Sequence, residues 1–298
     1  MPLASYAEVL DAVRGVAWPA LRRVRTTPVG AHASVVRGTT AEFLEYRPYR
    51  QGDDPGRIDW KLVARTDRVF VRVSQERTIL PTILVVDGSA SMAFPEDTFA
   101  KWQHARRIAI GLAAIARHRG DPVGLAVALG DGTIRVEPRT RSTVIEEMMR
   151  ALDRAPGGSA PIARVAVEAL RLGARVVLIS DFLEDDVGGT GGSAVLEQAR
   201  IAAAAGREIY AVHVVDRSEL DPDARQRLVT DPEHPQVRRP MPPSVRAEYV
   251  RRFADWRSRL ARDWRRAGAV YTMTVPGEEP LRRTIRRITA AGDPGGDV

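Results

Sequence analysis

Cysteine is absent from the 298-residue chain. Disulfide bridges, thiolate zinc sites and a cysteine nucleophile are therefore excluded, and the absence agrees with a reducing compartment. Long apolar runs are absent as well, since no stretch approaches the roughly 20 apolar residues that a membrane-spanning helix needs. We therefore expect a cytoplasmic protein without a membrane span.

Lysine is scarce: Lys61 and Lys101 are the only lysines among 45 basic residues. The formal net charge of +7 is thus carried almost entirely by arginine, and a positive balance is typical of proteins that bind nucleic acid. Most arginines, however, lie on predicted helices that are also rich in acids, or near the C-terminus. Because no zinc-finger, RNA-recognition or KH signature is present, nucleic-acid binding is an alternative and not the preferred prediction.

The signatures of several enzyme classes are missing too. The five histidines are scattered and show no HExxH-type spacing, and neither a P-loop nor a dinucleotide-binding glycine pattern occurs. Residues 88–92 lack the second glycine of a serine-hydrolase nucleophile elbow. The sequence therefore indicates neither a nucleotide-binding enzyme nor a serine hydrolase.

Apolar strand-like runs alternate with amphipathic helices from residue 81 onward. The runs at residues 83–86, 123–129, 175–180 and 208–215 are almost continuously apolar, which is typical of parallel strands whose two faces are both covered by helices. Residues 130–132, Gly-Asp-Gly, predict a hairpin into one antiparallel edge strand. We therefore predict an α/β fold with a doubly wound, mostly parallel sheet and helices on both of its faces.

Three regions are predicted along the chain. Residues 1–80 form an N-terminal extension, with an amphipathic helix over residues 5–25 followed by short β-rich stretches. Residues 81–292 form the α/β domain, with a polar, proline-containing insertion near residues 217–243. Residues 293–298 are predicted to be a flexible tail.

Three oxygen-bearing residues, Asp87, Ser89 and Ser91, occupy alternate positions directly after a predicted buried strand. The small residues between them, Gly88 and Ala90, allow the chain to curl so that the three oxygens converge. An all-oxygen cluster without histidine or thiol suits a hard divalent cation such as Mg²⁺. The alternative is a serine-rich turn that caps the next helix.

A further carboxylate and a further hydroxyl are predicted at the same edge of the sheet. Asp181 directly follows a second strongly apolar strand, and Ser159 lies in the loop formed by residues 156–161. Ligands of open α/β sheets collect beyond the carboxyl ends of the strands. We therefore expect Asp181 to converge with Asp87, Ser89 and Ser91 within one coordination sphere.

This order of residues resembles the metal-ion-dependent adhesion site of the von Willebrand factor A domain. That site has Asp-x-Ser-x-Ser after the first strand, a threonine in a later loop and an aspartate after the fourth strand. The resemblance implies that Mg²⁺ or Mn²⁺ is bound directly by the hydroxyls of Ser89, Ser91 and Ser159, while the two aspartates act largely through water. Ser159 stands where the family has threonine, and Thr143 is a rival for this position.

A narrower resemblance covers the N-terminal part of the chain. The polar segment 42–65 contains Arg47-Pro48-Tyr49-Arg50, Gly52-Asp53-Asp54-Pro55 and Asp59-Trp60-Lys61. It looks like the signature of domain-of-unknown-function family 58, whose members carry a von Willebrand A-like domain and are commonly linked with MoxR-type AAA+ ATPases. The resemblance implies an adaptor or co-chaperone of such an ATPase.

The charged residues of this segment permit two roles. One is a structural clamp, an ion-pair network that would hold the segment onto the sheet and include Arg47, Asp53, Asp54, Asp59 and Arg65. The other is a second partner-binding surface, because Trp60 and arginine are residue types that contribute strongly to protein interfaces. Composition alone does not decide between the two.

The preferred prediction is a metal-dependent protein-interaction module without enzymatic activity. Its expected cofactor is Mg²⁺ or Mn²⁺, and its expected partner is a MoxR-type AAA+ ATPase or a client protein that offers a carboxylate. Catalysis would require a general base beside the ion, and the only candidates, Asp87 and Asp181, are already assigned to holding it. Two alternatives stay open: a metal-dependent phosphohydrolase that uses the same aspartates, and a basic nucleic-acid-binding protein.

Overall fold

The computed structural model describes residues 6–21, 39–183, 190–223, 228–230 and 236–290. The chain divides into two compact units, a smaller one formed by residues 32–80 and a larger one that combines residues 1–31 with residues 81–298. The described residues 6–21 therefore group with the α/β domain, whereas the predicted boundary placed them in the N-terminal extension. The predicted tail, residues 293–298, lies outside the described residues.

The N-terminal helix, α1 (Tyr6–Val13), is shorter than the predicted helix over residues 5–25. It ends before Gly15, whose φ of 70° is a left-handed conformation that favours glycine. The apolar residues beyond the helix still pack, since Trp18 is fully buried. The apolar residues after Val13 are therefore part of the core, but they do not extend the helix.

The smaller unit contains a two-stranded antiparallel sheet of β1 (Thr39–Pro48) and β2 (Phe70–Thr78). The chain between these strands forms one 3-10 turn (Pro55–Arg57) and helix α2 (Trp60–Thr66). Proline at the first position of the turn supplies a suitable φ, and Asp59 caps the start of α2. The β-rich extension predicted from the sequence is found in this unit.

The larger unit is built on a six-stranded sheet and carries a short hairpin. Its strands are β3 (Thr82–Gly88), β4 (Val123–Leu129), β5 (Gly132–Arg139), β6 (Arg175–Ser180), β7 (Glu208–Val214), β8 (Leu228–Thr230), β9 (Arg238–Pro240) and β10 (Val270–Thr274). The sheet has the order β10-β7-β6-β3-β4-β5, and every neighbouring pair is parallel except β4 with β5. The predicted mostly parallel sheet with one antiparallel edge strand is confirmed.

Helices cover both faces of this sheet, as predicted. They are α3 (Ala100–His118), α4 (Thr143–Leu152), α5 (Ile162–Leu172), α6 (Thr190–Ala204), α7 (Arg217–Leu220), α8 (Pro243–Arg266) and α9 (Leu281–Ala290). One core cluster joins α1, α3, α4 and α9 to one face, and a second joins α5, α6 and α8 to the other. On β3, Leu84 and Val86 belong to the first cluster and Val85 to the second, as the alternation of side chains along a strand requires.

The predicted insertion near residues 217–243 contains regular structure. Its described residues include helix α7 and the antiparallel hairpin of β8 and β9, and residues 224–227 and 231–235 lie outside the described part. Helix α7 begins with a capping box: the Asp216 carboxylate accepts the Ser218 N–H at 2.9 Å, and the Glu219 carboxylate accepts the Asp216 N–H at 2.6 Å. This capping fixes Glu219 at the edge of the sheet.

Across the described ranges, none of the helices is both long and apolar enough to cross a membrane.

Candidate functional site

The loop after β3 lies at the carboxyl edge of the sheet. Strand β3 ends at Gly88 between two parallel neighbours, and Gly88 lies opposite Leu129, the last residue of β4. A Cβ atom on Gly88 would come within 2.6 Å of the Leu129 side chain and 2.7 Å of the Ala128 carbonyl oxygen. Only glycine therefore fits at the position where the chain leaves the sheet and turns toward the serines.

Asp87 is buried and held in a fixed orientation by two hydrogen bonds. Its Oδ1 accepts the backbone N–H of Ser89 at 2.9 Å, and its Oδ2 accepts the hydroxyl of Ser180 at 2.6 Å. Ser180 is the last residue of β6, so the second bond joins the ends of two adjacent parallel strands. The carboxylate is thereby directed into the edge of the sheet and not into solvent.

The two serine hydroxyls of the motif lie next to each other. The Oγ atoms of Ser89 and Ser91 are 3.0 Å apart, and both residues are buried. Two adjacent ligands of an octahedral Mg²⁺ at about 2.1 Å from the ion are themselves about 3.0 Å apart. The spacing of the hydroxyls therefore fits two neighbouring positions in such a coordination sphere.

The loop that carries Ser159 is bonded directly to the motif. The Gly157 N–H donates to the Gly88 carbonyl oxygen at 2.9 Å, and the Ala90 N–H donates to the Gly158 carbonyl oxygen at 2.9 Å. Ser159 itself is exposed. The expected third hydroxyl thus belongs to an exposed loop that is hydrogen-bonded to the chain on both sides of Ser89.

Thr143, the rival to Ser159, lies at the opposite edge of the sheet. Strand β5 is antiparallel to β4, so its last residue, Arg139, is opposite Val123, the first residue of β4. Thr143 follows Arg139 by four residues, at the start of α4. The topology therefore separates Thr143 from the motif and leaves Ser159 as the loop hydroxyl near it.

Asp181 follows β6, and its nearest cation is Lys101 on α3. The Lys101 Nζ atom donates to Asp181 Oδ2 at 2.7 Å and to Glu219 Oε1 at 2.8 Å, and the lysine side chain is fully buried. Glu219 is held in turn by the Asp216 backbone N–H, which donates to its second carboxylate oxygen at 2.6 Å. Lys101 therefore links the loop after β6 to helix α7.

The pKa values of the two aspartates shift in opposite directions. Burial, with a contribution from the charge of Asp181, raises the pKa of Asp87 to about 6, although hydrogen bonds from Ser180 and Ser89 oppose the shift. Burial also acts to raise the pKa of Asp181, but the Lys101 ammonium and hydrogen bonds outweigh it and hold that pKa below its ordinary value. The pKa of Glu219 is raised, chiefly by burial.

These shifts reflect an excess of buried negative charge. When all are ionised, the three carboxylates of Asp87, Asp181 and Glu219 are accompanied by one ammonium group, that of Lys101, which pairs with Asp181 and Glu219. The remainder is two negative charges, which equals the charge that a divalent cation would neutralise. Within the described ranges no group of three or more His, Cys, Asp and Glu side chains is arranged to hold a metal ion. A cation at this edge would therefore depend on the serine hydroxyls, and oxygen donors of that kind suit Mg²⁺ or Mn²⁺.

In the smaller unit, Arg47 and Asp53 form the predicted ion pair. The guanidinium donates two hydrogen bonds to the carboxylate, at 2.8 and 2.6 Å. The bond from Arg47 and a backbone bond from Arg50 lower the pKa of Asp53. The side chains are partly exposed, so the pair contributes less than a buried one would.

The other acids of the predicted clamp have local roles. Asp54 is exposed and accepts the Gly56 N–H at 2.9 Å, which caps the 3-10 turn. Asp59 caps α2 and also accepts the hydroxyl of Tyr46 at 2.6 Å. These bonds shape the connection between β1 and β2, and they do not form one network with Arg47.

Arg65 and Trp60 both point to solvent. Arg65 is exposed on α2 and forms no ion pair with the described residues. Trp60, the first residue of α2, is 66% exposed. Of the predicted pairs, Arg47–Asp53 forms, and Arg57 lies 3.9 Å from Asp54. A clamp onto the sheet stays a prediction, and Trp60 has the exposure that a partner-binding residue needs.

The comparisons with known proteins concern the family and the fold. A profile of the family described as "Protein of unknown function DUF58" matches residues 45–259. Uncharacterized protein Rv1480 of Mycobacterium tuberculosis strain H37Rv is 32% identical over 249 residues, which cover 80% of this chain and 76% of that protein. Uncharacterized protein Mb1516 of Mycobacterium bovis matches with the same identity and the same coverage.

Two solved structures resemble the chain at low sequence identity. The VWA domain of SpRpn10 is 12% identical, with a TM-score of 0.38, and the match covers 68% of this chain and 92% of that domain. The pilus adhesin SpaC from Lactobacillus rhamnosus GG is 17% identical, with a TM-score of 0.36, and the match covers 47% of this chain and 25% of the adhesin.

Proposed function

The chain belongs to the DUF58 family, and we propose that it is a metal-dependent protein-interaction module without enzymatic activity of its own. Its cofactor is Mg²⁺ or Mn²⁺. Its partner is a MoxR-type AAA+ ATPase, or a client protein of that ATPase, that presents an Asp or Glu side chain. The protein would act as an adaptor or co-chaperone.

The excess of buried negative charge at the carboxyl edge is the observation that carries this proposal. Asp87 and Asp181 are buried and Glu219 is partly buried, and Lys101 pairs with Asp181 and Glu219. Burying unpaired charge is costly, so a fold that retains it has a use for it. Such clusters of perturbed carboxylates are typical of functional sites.

The residues at this edge would bind the ion in two different ways. Ser89, Ser91 and Ser159 would be its direct ligands, and Asp87 and Asp181 would orient them and balance the charge. Because the direct ligands are neutral, the bound ion supplies positive charge at a position open to a carboxylate from another protein. Arginine-rich surfaces would assist the encounter with an acidic partner.

The hydrogen bonds of the aspartates favour binding over catalysis. Both oxygens of Asp87 accept hydrogen bonds, from the Ser89 backbone and the Ser180 hydroxyl. Both oxygens of Asp181 are engaged as well, by Lys101 and by the Leu183 N–H at 3.2 Å. A general base must accept a proton from the reacting group, and here every oxygen of both carboxylates already accepts a hydrogen bond from the protein.

Calorimetric titration with Mg²⁺ tests the metal site. We expect Ser89→Ala to abolish binding and Ser159→Ala to weaken it, because each substitution removes one hydroxyl ligand. Thr143→Ala is the matched control, since it removes a hydroxyl at the opposite edge of the sheet, and it should bind as the unmodified protein does. Mg²⁺ binding that survives Ser89→Ala unchanged would contradict the proposal.

Binding to a MoxR-type ATPase from the same genome tests the partner. The complex should form in Mg²⁺, dissociate in EDTA, and fail to form with Ser89→Ala. Metal-independent association would confine the site to a structural role. Mg²⁺-dependent turnover of p-nitrophenyl phosphate by the chain alone, lost in Asp87→Asn, would instead favour the phosphohydrolase alternative.

A further inference from the structure

Lys101 occupies an unusual position for a lysine. Its side chain is fully buried, and its Nζ atom lies between Asp181 and Glu219, at 2.7 and 2.8 Å. The two acids come from separate elements, the loop after β6 and helix α7. The ammonium group is therefore enclosed inside the protein, in direct contact with a residue of the candidate metal site.

Two physical costs accompany this position. An ammonium group loses hydration energy when it is buried. Lys101 also lies in the first turn of α3, where the helix dipole disfavours a cation. The only groups that offset both costs in the described structure are the carboxylates of Asp181 and Glu219.

The composition of the chain adds a third observation. All but two of its 45 basic residues are arginine, yet this buried position holds lysine. A guanidinium is a planar fork that suits one carboxylate bound side-on, whereas an ammonium is a compact charge with donors in several directions. The space between two carboxylates from different elements suits the compact group.

We propose that Lys101 is a built-in counter-ion of the candidate metal site: it keeps Asp181 and Glu219 paired when no metal is present and lowers the affinity of the site for a divalent cation. This inference rests on the proposed function. The ammonium neutralises part of the charge that would otherwise attract the metal, and it repels the incoming ion. The site therefore stays folded without metal.

The connection of Lys101 extends beyond the metal site. The backbone carbonyl oxygen of Glu219 accepts the hydroxyl of Tyr249, on helix α8, at 3.0 Å. Removing the ammonium would therefore affect both the affinity for metal and the packing of α7 against α8. A test has to measure the two effects separately.

The principal test compares Lys101→Met with Lys61→Met, the same substitution at the other lysine, which is exposed on α2. Mg²⁺ affinity is measured by calorimetry, and thermal midpoints are measured in Mg²⁺ and in EDTA. We expect Lys101→Met to bind Mg²⁺ at least about tenfold more tightly, to melt lower in EDTA, and to recover most of that loss in Mg²⁺. Lys61→Met should match the unmodified protein.

Each outcome separates this inference from the proposed function. If the unmodified protein binds Mg²⁺ and folded Lys101→Met binds it equally or more weakly, the inference is wrong and the metal site stands. If neither protein binds Mg²⁺, both fail. Binding that is detectable only in Lys101→Met supports the inference.

If Lys101→Met does not fold, the variant Glu219→Gln tests the inference instead. Glu219→Gln keeps the ammonium and removes one competing carboxylate, so Lys101 then pairs with Asp181 alone. We expect Mg²⁺ to bind several-fold more weakly than in the unmodified protein. A purely structural role for the cluster would change the thermal midpoint and leave Mg²⁺ affinity as it was, which would overturn the inference.

Discussion

Two clusters of buried charge lie at opposite edges of the same sheet. At the amino edge, Arg175 opens β6 and Glu208 opens β7. At the carboxyl edge, Lys101 pairs with Asp181 and Glu219. The clusters have similar burial and similar residue types, so the difference between them indicates what each is for.

The amino-edge cluster is balanced in charge. Arg175 donates to Glu208 at 2.8 Å, and its guanidinium lies 4.1 Å from the centre of the Trp18 ring. Arg175 and Arg119 also lie within 3.8 Å of Asp121. Two cations thus face two carboxylates, and an aromatic ring covers Arg175.

The carboxyl-edge cluster has one cation for three carboxylates and lies beside an exposed serine loop. A cluster with equal numbers of positive and negative charges, packed against a tryptophan, leaves no position for a charged ligand. Such a cluster stabilises the fold. An excess of one sign beside an opening is a position for a counter-ion from outside. The balance of charge, and not burial alone, separates the structural cluster from the candidate functional one.

The largest expected effect comes from breaking the balanced cluster. Arg175→Met leaves Glu208 buried without its cation, and we expect it to lower the free energy of unfolding by about 3–5 kcal/mol. Urea denaturation measures this, with the exposed Arg171→Met on α5 as control. Mg²⁺ should not restore the loss, and restoration by Mg²⁺ would show that the contrast between the two edges is wrong.

Low pH should destabilise the folded protein through a histidine at the carboxyl edge of the sheet. Burial lowers the pKa of His104 to about 4, and the ring donates to or accepts from Thr274, the last residue of β10, at 2.8 Å. Since the pKa is about 6.5 in the unfolded chain, the unfolded state alone binds this proton between pH 6.5 and 4. The stability that the neutral ring contributes is therefore present above pH 6.5 and is lost as the pH falls.

The variant His104→Gln measures this contribution. It should flatten the dependence of unfolding free energy on pH by about 1.4 kcal/mol per pH unit within that window. His118→Gln, at the exposed end of the same helix, is the matched control. Equal slopes in the unmodified protein and in His104→Gln would exclude His104 as a source of acid sensitivity.

A smaller effect is expected at Asp87. Its folded-state pKa of about 6 lies above that of an unfolded aspartate, so ionisation of this group disfavours the folded state at higher pH. In EDTA at pH 7.5, Asp87→Asn should therefore raise the free energy of unfolding by up to about 3 kcal/mol, and it should abolish Mg²⁺ binding. A large loss of stability would instead assign Asp87 the structural role that Arg175 has.

The sequence predicted the sheet and its helices because they depend on local patterns. Apolar runs such as Leu84–Val86 specify buried strands whatever lies elsewhere in the chain. The motif Asp87, Ser89 and Ser91 was recognisable for the same reason, since its oxygens follow one strand. These features required no knowledge of distant contacts.

Lys101 and Glu219 were not recognised as parts of the site. Lys101 lies 80 residues from Asp181 and 118 from Glu219, and no local pattern encodes a pairing over that distance. Glu219 also fell in a segment interpreted as an insertion. The one signal available was the rarity of lysine in the chain.

The smallest effect on stability is expected at Trp60 of the smaller unit. Its side chain is 66% exposed, and its helix is already fixed by Asp59, which accepts the N–H groups of Lys61 and Leu62. Trp60→Ala removes little buried apolar area, so the free energy of unfolding should change by no more than the experimental error.

The same substitution should weaken binding to the ATPase, because exposed tryptophan is frequently an energetic centre of protein interfaces. Leu172→Ala, at an equally exposed apolar residue of the larger unit (65%), is the control and should leave binding unchanged. If Trp60→Ala lowers the free energy of unfolding and binds the ATPase normally, the segment around Trp60 has a structural role. Reduced binding with normal stability would add a second contact, in the smaller unit, to the one proposed at the metal site.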